Sequence, residues 1–142
     1  MNKTLFVESF GVIPLALHER MWKVLLILHQ QGNHWSFPKG RRVEGEEPIE
    51  SALRELKEET NLDVVEFLQK TPLLERYSFR RDAVSIQKTV HYYPAIVTGE
   101  LALQEEEIRD ACWMTLEQAL KQLTFPESRT LCSYVMRQLL RC

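Results

Sequence analysis

Glu55, Glu58 and Glu59 stand at i, i+3 and i+4 within Arg54-Glu55-Leu56-Lys57-Glu58-Glu59-Thr60. On a helix this spacing gathers the carboxylates on about one side. Like charges so placed disfavour a helix by roughly 0.2–0.5 kcal/mol per pair. A cluster that costs stability points to a counter-charge, and oxygen ligands suit a hard divalent cation. An acidic run on a helix is more often a solvated face, so the surrounding pattern has to decide. That pattern reaches upstream: Gly40, five residues, Glu46, seven residues, then Arg-Glu-Leu-x-Glu-Glu. At average residue usage the Gly, Arg and Glu positions coincide by chance at about 10⁻⁸ per start site. Coincidence is therefore no competitor.

The stretch resembles the Nudix box, Gly-x5-Glu-x7-Arg-Glu-U-x-Glu-Glu-x-Gly-U with U aliphatic, and fills eight of its nine specified positions. The resemblance implies a hydrolase that uses Mg²⁺ (or Mn²⁺) to cleave a phosphoanhydride attached to a nucleoside. The departure is Asn61, where the family has Gly. That position ends the helix and calls for the left-handed conformation, in which Asn is the commonest residue after Gly. Carried over position by position, the resemblance makes Glu58 and Glu59 the principal metal ligands. Glu55 is a further or water-mediated ligand, and Gly40 a carbonyl donor. Arg54 orients carboxylates, within reach of Glu50 and Glu58 along the helix and of Glu46 across the loop. Glu107, in the run Glu105-Glu106-Glu107, lies six residues before Trp113. It resembles the Glu ahead of the late Trp strand in Nudix enzymes that cleave dinucleoside polyphosphates, a metal ligand or general base. Glu58 competes for the role of base.

Immediately before the box, His34-Trp35-Ser36-Phe37-Pro38-Lys39-Gly40 resembles the His-Trp-x-x-Pro-Lys-Gly segment of asymmetrical bis(5′-nucleosyl)-tetraphosphatases. Arg41 replaces the His common in that subgroup. The resemblance implies hydrolysis of diadenosine tetraphosphate to ATP and AMP, with Lys39 as a point charge on phosphate. Lys88-Thr89-Val90-x-Tyr92 also resembles a strand of these enzymes. Tyr77, Lys88 and His34 are candidates for base and phosphate binding, because every nucleobase presents a π-face to an aromatic ring. Phe125 lies where the subgroup often has an aromatic and borders the base pocket. Arg76, Arg80 and Arg81 either attract a polyphosphate at long range or solubilise a hairpin. A general nucleoside triphosphate or nucleotide-sugar hydrolase is one rival, and two others have sequence markers. One is an RNA 5′-pyrophosphohydrolase, a group that usually carries Pro-Gln-Gly in place of Pro-Lys-Gly. The other is a non-catalytic nucleotide-binding Nudix module, which should show a damaged Glu cluster; this one is intact.

The elements that must position these residues are legible from periodicity. Residues 9–17 and 23–29 read as strands around a turn at 18–20, and 34–45 as a loop. The helix runs over 48–60, with Pro48 in its first turn and Ile49, Ala52, Leu53 and Leu56 as its apolar stripe. Strands are expected over 62–68, 74–79, 84–97 and 111–114. Thr115 with Gln118, and Thr124 with Glu127, form capping-box patterns before two further helices. Leu131, Tyr134, Val135 and Leu139 make the buried stripe of the last one. Strands interleaved with helices give an α/β chain with a central mixed sheet, and the family resemblance implies an α/β/α sandwich. The 142 residues suit a single domain over 1–142. A net charge of −2 gives no basic surplus for extended nucleic acid, so the expected partner is a small dinucleoside polyphosphate. Cys112, Cys132 and Cys142 form no disulfide or zinc pattern. Cys112 and Cys132 read as packing residues and Cys142 as a frayed terminus. No apolar run spans a bilayer, and no signal-peptide pattern is seen. A cytoplasmic setting is expected.

Overall fold

The computed structural model describes residues 3–141. Its centre is β1 (Lys3–His18), which turns tightly through Glu19 and Arg20, both at positive φ, into β2 (Met21–His29). Two short strands lie inside the expected loop: β3 (Trp35–Ser36) on β2 and β4 (Lys39–Gly40) on β1. After α1 (Pro48–Thr60) come β5 (Asp63–Phe67), β6 (Leu73–Arg81) and β7 (Val84–Thr98). The chain ends with β8 (Ile108–Thr115), α2 (Leu116–Gln122) and α3 (Pro126–Leu140). β1 and β7 run parallel from Lys3↔Val84 to Leu15↔Ile96, and every other pairing is antiparallel. This is the expected mixed sheet with three helices, of α/β class.

Side chains alternate between the sheet faces with period two, and that alternation divides the core. On one face Ile13, Leu15, Val24, Leu26, Val90 and Tyr92 pack with Leu116 and Ala119 of α2 and Leu131, Val135 and Leu139 of α3. On the other, Phe10, Val12, Leu25, Tyr93, Ala95 and Val97 pack under Ala52 and Leu56 of α1. The helices thus cover both faces. Leu53 is only half-buried, because the stripe of α1 centres on Ala52 and Leu56.

Some expectations need correction. Cys132 is buried, but Cys112, on β8, which pairs with β2 alone among the described strands, is exposed. Cys142 lies outside the described residues. Thr115 and Gln118 do cap α2 reciprocally, at 3.2 and 3.0 Å. Thr124 does not cap α3: Phe125 is the N-cap residue and Pro126 the first helical one. The Thr124 hydroxyl instead accepts a hydrogen bond from the Trp35 N–H at 2.9 Å, tying the α3 entry to the loop before the box. No helix among the described residues is long and apolar enough to cross a membrane.

Candidate active site

The box helix has the predicted bounds. Glu50 turns back to accept from the Glu47 N–H at the N-cap, 2.9 Å. Asn61 ends the helix at φ 69°, ψ 10°, the left-handed cap expected of it. Arg54 is the organiser of the face between. Its Nε donates to Glu46 (2.8 Å), its Nη2 to the Arg41 carbonyl (2.8 Å), and its Nη1 to Glu55 (2.9 Å) and Glu58 (3.1 Å). Glu50, an expected partner of Arg54, is engaged at the helix start instead. The guanidinium holds the Glu46 carboxyl at about 2, helped by the Val43 N–H. Glu46 also accepts from Ser51 Oγ at 2.8 Å, so the loop is pinned to the helix by a guanidinium fork and a hydroxyl.

Glu59 is buried, and one of its oxygens accepts from the Lys39 N–H at 3.1 Å. Burial, then the charge of Glu55, pushes its carboxyl up to about 8. Burial also raises Glu55 despite its bond to Arg54. Burial is thus the main cost these two carboxylates carry, with their mutual repulsion adding to it at Glu59.

β4 distributes the chemistry between the two faces. Lys39 pairs with Gly11 and Gly40 with Phe10, so Lys39 points to the α3 face and Gly40 to the α1 face. A Cβ on Gly40 would collide with the Glu55 carboxylate. Glycine there lets the loop backbone reach the acidic face of α1. Among the described residues, no carboxylate lies within ion-pair distance of the Lys39 ammonium. Burial lowers its pKa, and Glu75, Glu59 and Glu55 oppose that.

On the α3 face the predicted base-binding residues do meet. The Tyr77 and Phe125 rings are nearly parallel (11°) with centroids 6.3 Å apart, and His34 lies 5.5 Å from Phe125. Lys88 pairs directly with Tyr77 across β6 and β7, so it shares their face. Burial, with Lys39 and Arg41 nearby, pulls the Lys88 ammonium down to about 8. A cavity of about 370 Å³ is lined by His29, His34, Lys39, Glu106 and Glu107 among others. The charge of Glu107 reaches Glu55 and Glu59 and raises both.

Sequence reading missed two residues here. His29 lies tilted against His34 with ring centroids 5.1 Å apart, shares a hydrogen bond with Ser36 Oγ at 3.2 Å, and is held neutral at about 4 by burial and by Lys39. Glu75 is buried and accepts from Ser128 Oγ at 2.7 Å. Both carried a signal: Glu75 is two residues from Tyr77 on one strand, and His29 ends the strand leading to His34. Arg81, by contrast, lies over Phe79 at 5.7 Å.

The residues fit a divalent cation in donor chemistry and in access. Glu55, Glu58, Glu59 and Glu107 offer oxygens only, and Gly40 leaves the Glu55 carboxylate room that a side chain would fill. As the side chains lie, no three acidic, His or Cys groups among the described residues are gathered at coordination spacing. Arg54 draws Glu55 and Glu58 to itself.

Fold and site together are those of an α/β protein that presents an acidic helix beside a loop carrying Lys39, Arg41 and Arg42. The chain belongs to the Nudix family: the NUDIX domain profile matches residues 6–134. It is 32% identical over 102 residues to the asymmetrical bis(5′-nucleosyl)-tetraphosphatase of Mus musculus, covering 68% of this chain and 66% of that one. It is 32% identical over 106 residues to mRNA-decapping enzyme subunit 2 of Arabidopsis thaliana, covering 72% of this chain but only 27% of that much longer protein. The fold matches C. elegans Ap4A hydrolase in a binary complex with a TM-score of 0.74 at 20% identity, over 96% of this chain and 99% of that one.

Proposed function

We propose that this chain hydrolyses diadenosine tetraphosphate with water to ATP and AMP, using Mg²⁺ or Mn²⁺. The observation that carries the reading is the pair of parallel rings, Tyr77 and Phe125, beside Lys39 and Lys88. A base sandwiched between two rings needs about 7 Å, two van der Waals separations of about 3.5 Å each. The 6.3 Å is measured between ring centroids, and Phe125 is exposed enough (43%) to shift outward and open the gap a base requires. Tyr77, Phe125 and His34 hold the base, and Lys39 and Lys88 hold the phosphates. Glu55, Glu58, Glu59, Glu107 and the Gly40 carbonyl hold the cation. That cation supplies charge neutralisation at the phosphates and a more acidic water at neutral pH. Arg54 aims the carboxylates. A carboxylate oxygen of Glu107, with Glu58 as the competitor, takes the proton of the water that attacks a phosphorus near one end. The mouse relative, an asymmetrical tetraphosphatase by name, supports this substrate.

One observation favours a second reading, pyrophosphate hydrolysis at an RNA 5′ end: the similarity to the Arabidopsis decapping subunit. The experiment separates the two. Purified protein with Mg²⁺ receives diadenosine tetraphosphate or a short 5′-triphosphorylated RNA, and products are resolved by chromatography. ATP plus AMP with little RNA turnover is the expected result. Preferential phosphate or pyrophosphate release from the RNA overturns it. Turnover of neither leaves a nucleotide-binding module.

A further inference from the structure

The strand register that puts Tyr77 and Lys88 on the α3 face puts their neighbours on the α1 face. Arg76 pairs with Thr89, and Ser78 with Gln87. Gln87 pairs in turn with Phe6 of β1. These side chains border a groove of about 390 Å³, whose lining also includes Tyr77 and Lys88 of the base site. Phe6 is 81% exposed, and among the described residues no aromatic ring packs against it. A bare ring that borders a groove carrying a cation and hydrogen-bonding groups offers a stacking surface for a base. The groove therefore repeats, on the opposite face of the same strands, the chemistry of the base site: one ring, one cation (Arg76) and hydrogen-bonding groups from Ser78, Gln87 and Thr89. Glu8 beside it is turned onto His91 at 3.3 Å.

Two features connect the groove to the active site. First, residues 3–9 of β1 have β7 on one side and no strand on the other among the described residues, so the sheet edge there is open. Second, β4 sits at the end of that open stretch, with Lys39 turned to one face and Gly40 to the other. A polyphosphate that starts on the α3 face at Lys39 and meets the carboxylates of α1 at Gly40 has already crossed the edge. The far end of such a substrate emerges on the α1 face, where Phe6 lies. Tyr77 and Phe6 are two strands apart, about 10 Å across the sheet.

We infer that the groove between Phe6 and Arg76 binds the second nucleoside of a dinucleoside polyphosphate, with the base stacked on Phe6 and the adjoining phosphate near Arg76. The inference rests on the proposed function and deepens it. The two ends of a symmetric substrate lie on opposite faces of the sheet, one in a sandwich and one on an open platform.

Phe6→Ala and Phe6→Trp test this against two substrates of equal phosphate number, diadenosine tetraphosphate and adenosine 5′-tetraphosphate. Phe6→Ala is expected to raise KM for the two-ended substrate by roughly tenfold, within the range one base–aromatic stack is worth. It leaves kcat, and KM for the one-ended substrate, unchanged. Phe6→Trp keeps the wild-type KM. Equal KM changes for both substrates, or none, overturn the inference, the first by showing an indirect effect on Tyr77 or Lys88. A loss confined to 5′-triphosphorylated RNA overturns it as well. If the wild-type protein turns over neither nucleotide, the hydrolytic reading fails separately, and calorimetric titration with the same two ligands decides. Tighter binding of the two-ended ligand, erased by Phe6→Ala, upholds the groove; equal binding overturns it.

Discussion

Gly40→Ala adds a single methyl group at the point where the loop backbone meets the acidic face of α1. Gly40 is not at positive φ, so the backbone accepts alanine without strain. The space does not. The new Cβ falls on the Glu55 carboxylate, which Arg54 already anchors at 2.9 Å. Restoring a carbon–carbon separation of about 3.5 Å requires the carboxylate to retreat by about 1 Å or more. A displacement of that size in a reacting constellation costs on the order of 100-fold in rate. Overpacking a tight contact costs about 1–3 kcal/mol, which lowers Tm by roughly 3–10 °C in a chain of this size. Steady-state kinetics and thermal denaturation on Gly40→Ala read both effects. A double-mutant cycle isolates the cause: in a Glu55→Ala background the carboxylate is gone, and Gly40→Ala should cost no further stability. Retention of kcat to within about threefold, or an undiminished Tm loss in the Glu55→Ala background, would refute the reasoning.

Glu58→Gln should remove most activity while Tm stays at the parental value, because Glu58 is exposed and, among the described residues, bonds only to Arg54; kcat within about a few-fold of the parent would remove it from the proposed ligands. Lys88 supplies a pH dependence. Burial, Lys39 and Arg41 hold it at about 8 against the pull of Glu75, so it is charged below that pH and neutral above it. KM for a polyphosphate should therefore rise as pH passes about 8, and Lys88→Arg should flatten the profile; an unchanged profile in Lys88→Arg assigns the pH effect elsewhere. Phe125→Ala should raise KM by roughly 5- to 150-fold, one stacked base, with Phe125→Trp rescuing it. A KM unmoved by Phe125→Ala would take the base out of the sandwich.

How much of this was legible in the sequence depended on the range of the interaction. The box helix was found to the residue, because its caps, its stripe and its carboxylates are all local in the chain. The cap at Asn61 was readable for the same reason. The α3 entry was misread because Thr124 had two outlets for its hydroxyl. The local one, a capping box with Glu127, lost to the Trp35 N–H, 89 residues away in the chain. Arg54 was assigned its role but one wrong partner: Glu50 is as near along the helix as Glu58, and only the N-cap bond to Glu47 explains why it turns away. The base site was half-legible. Lys88 was chosen by resemblance and Tyr77 as an aromatic platform, yet their meeting depends on a hairpin register that no periodicity reveals. Phe6, Glu75 and His29 were missed because their significance lies in which face of the sheet they occupy. That is settled only when β1, β6 and β7 are aligned.

The one departure from the box, Asn61 for Gly, has a structural consequence of its own. Glycine would supply the left-handed conformation equally well. Asn61 also donates from Nδ2 to the Glu100 carbonyl at 3.0 Å. The next two links run from Ala102 N–H to Thr60 O, 3.0 Å, and from Gln104 N–H to Glu59 O, 3.2 Å. Gln104 O then accepts the Glu107 N–H at 3.0 Å. The segment that carries Glu107 is thus suspended from the C-terminal turn of α1, and Asn61 is its first tie. Asn61→Gly should leave Tm nearly unchanged, since the lost bond of about 1 kcal/mol is offset by relief at φ 69°. It should nevertheless lower kcat by several-fold, as Glu107 loses its register against Glu55 and Glu59. Combined with Glu107→Gln, Asn61→Gly should lower kcat no further, because the group it positions is already disabled. Additive losses in the double variant would show that Asn61 acts on α1 itself, and that the suspended segment holds Glu107 without its help.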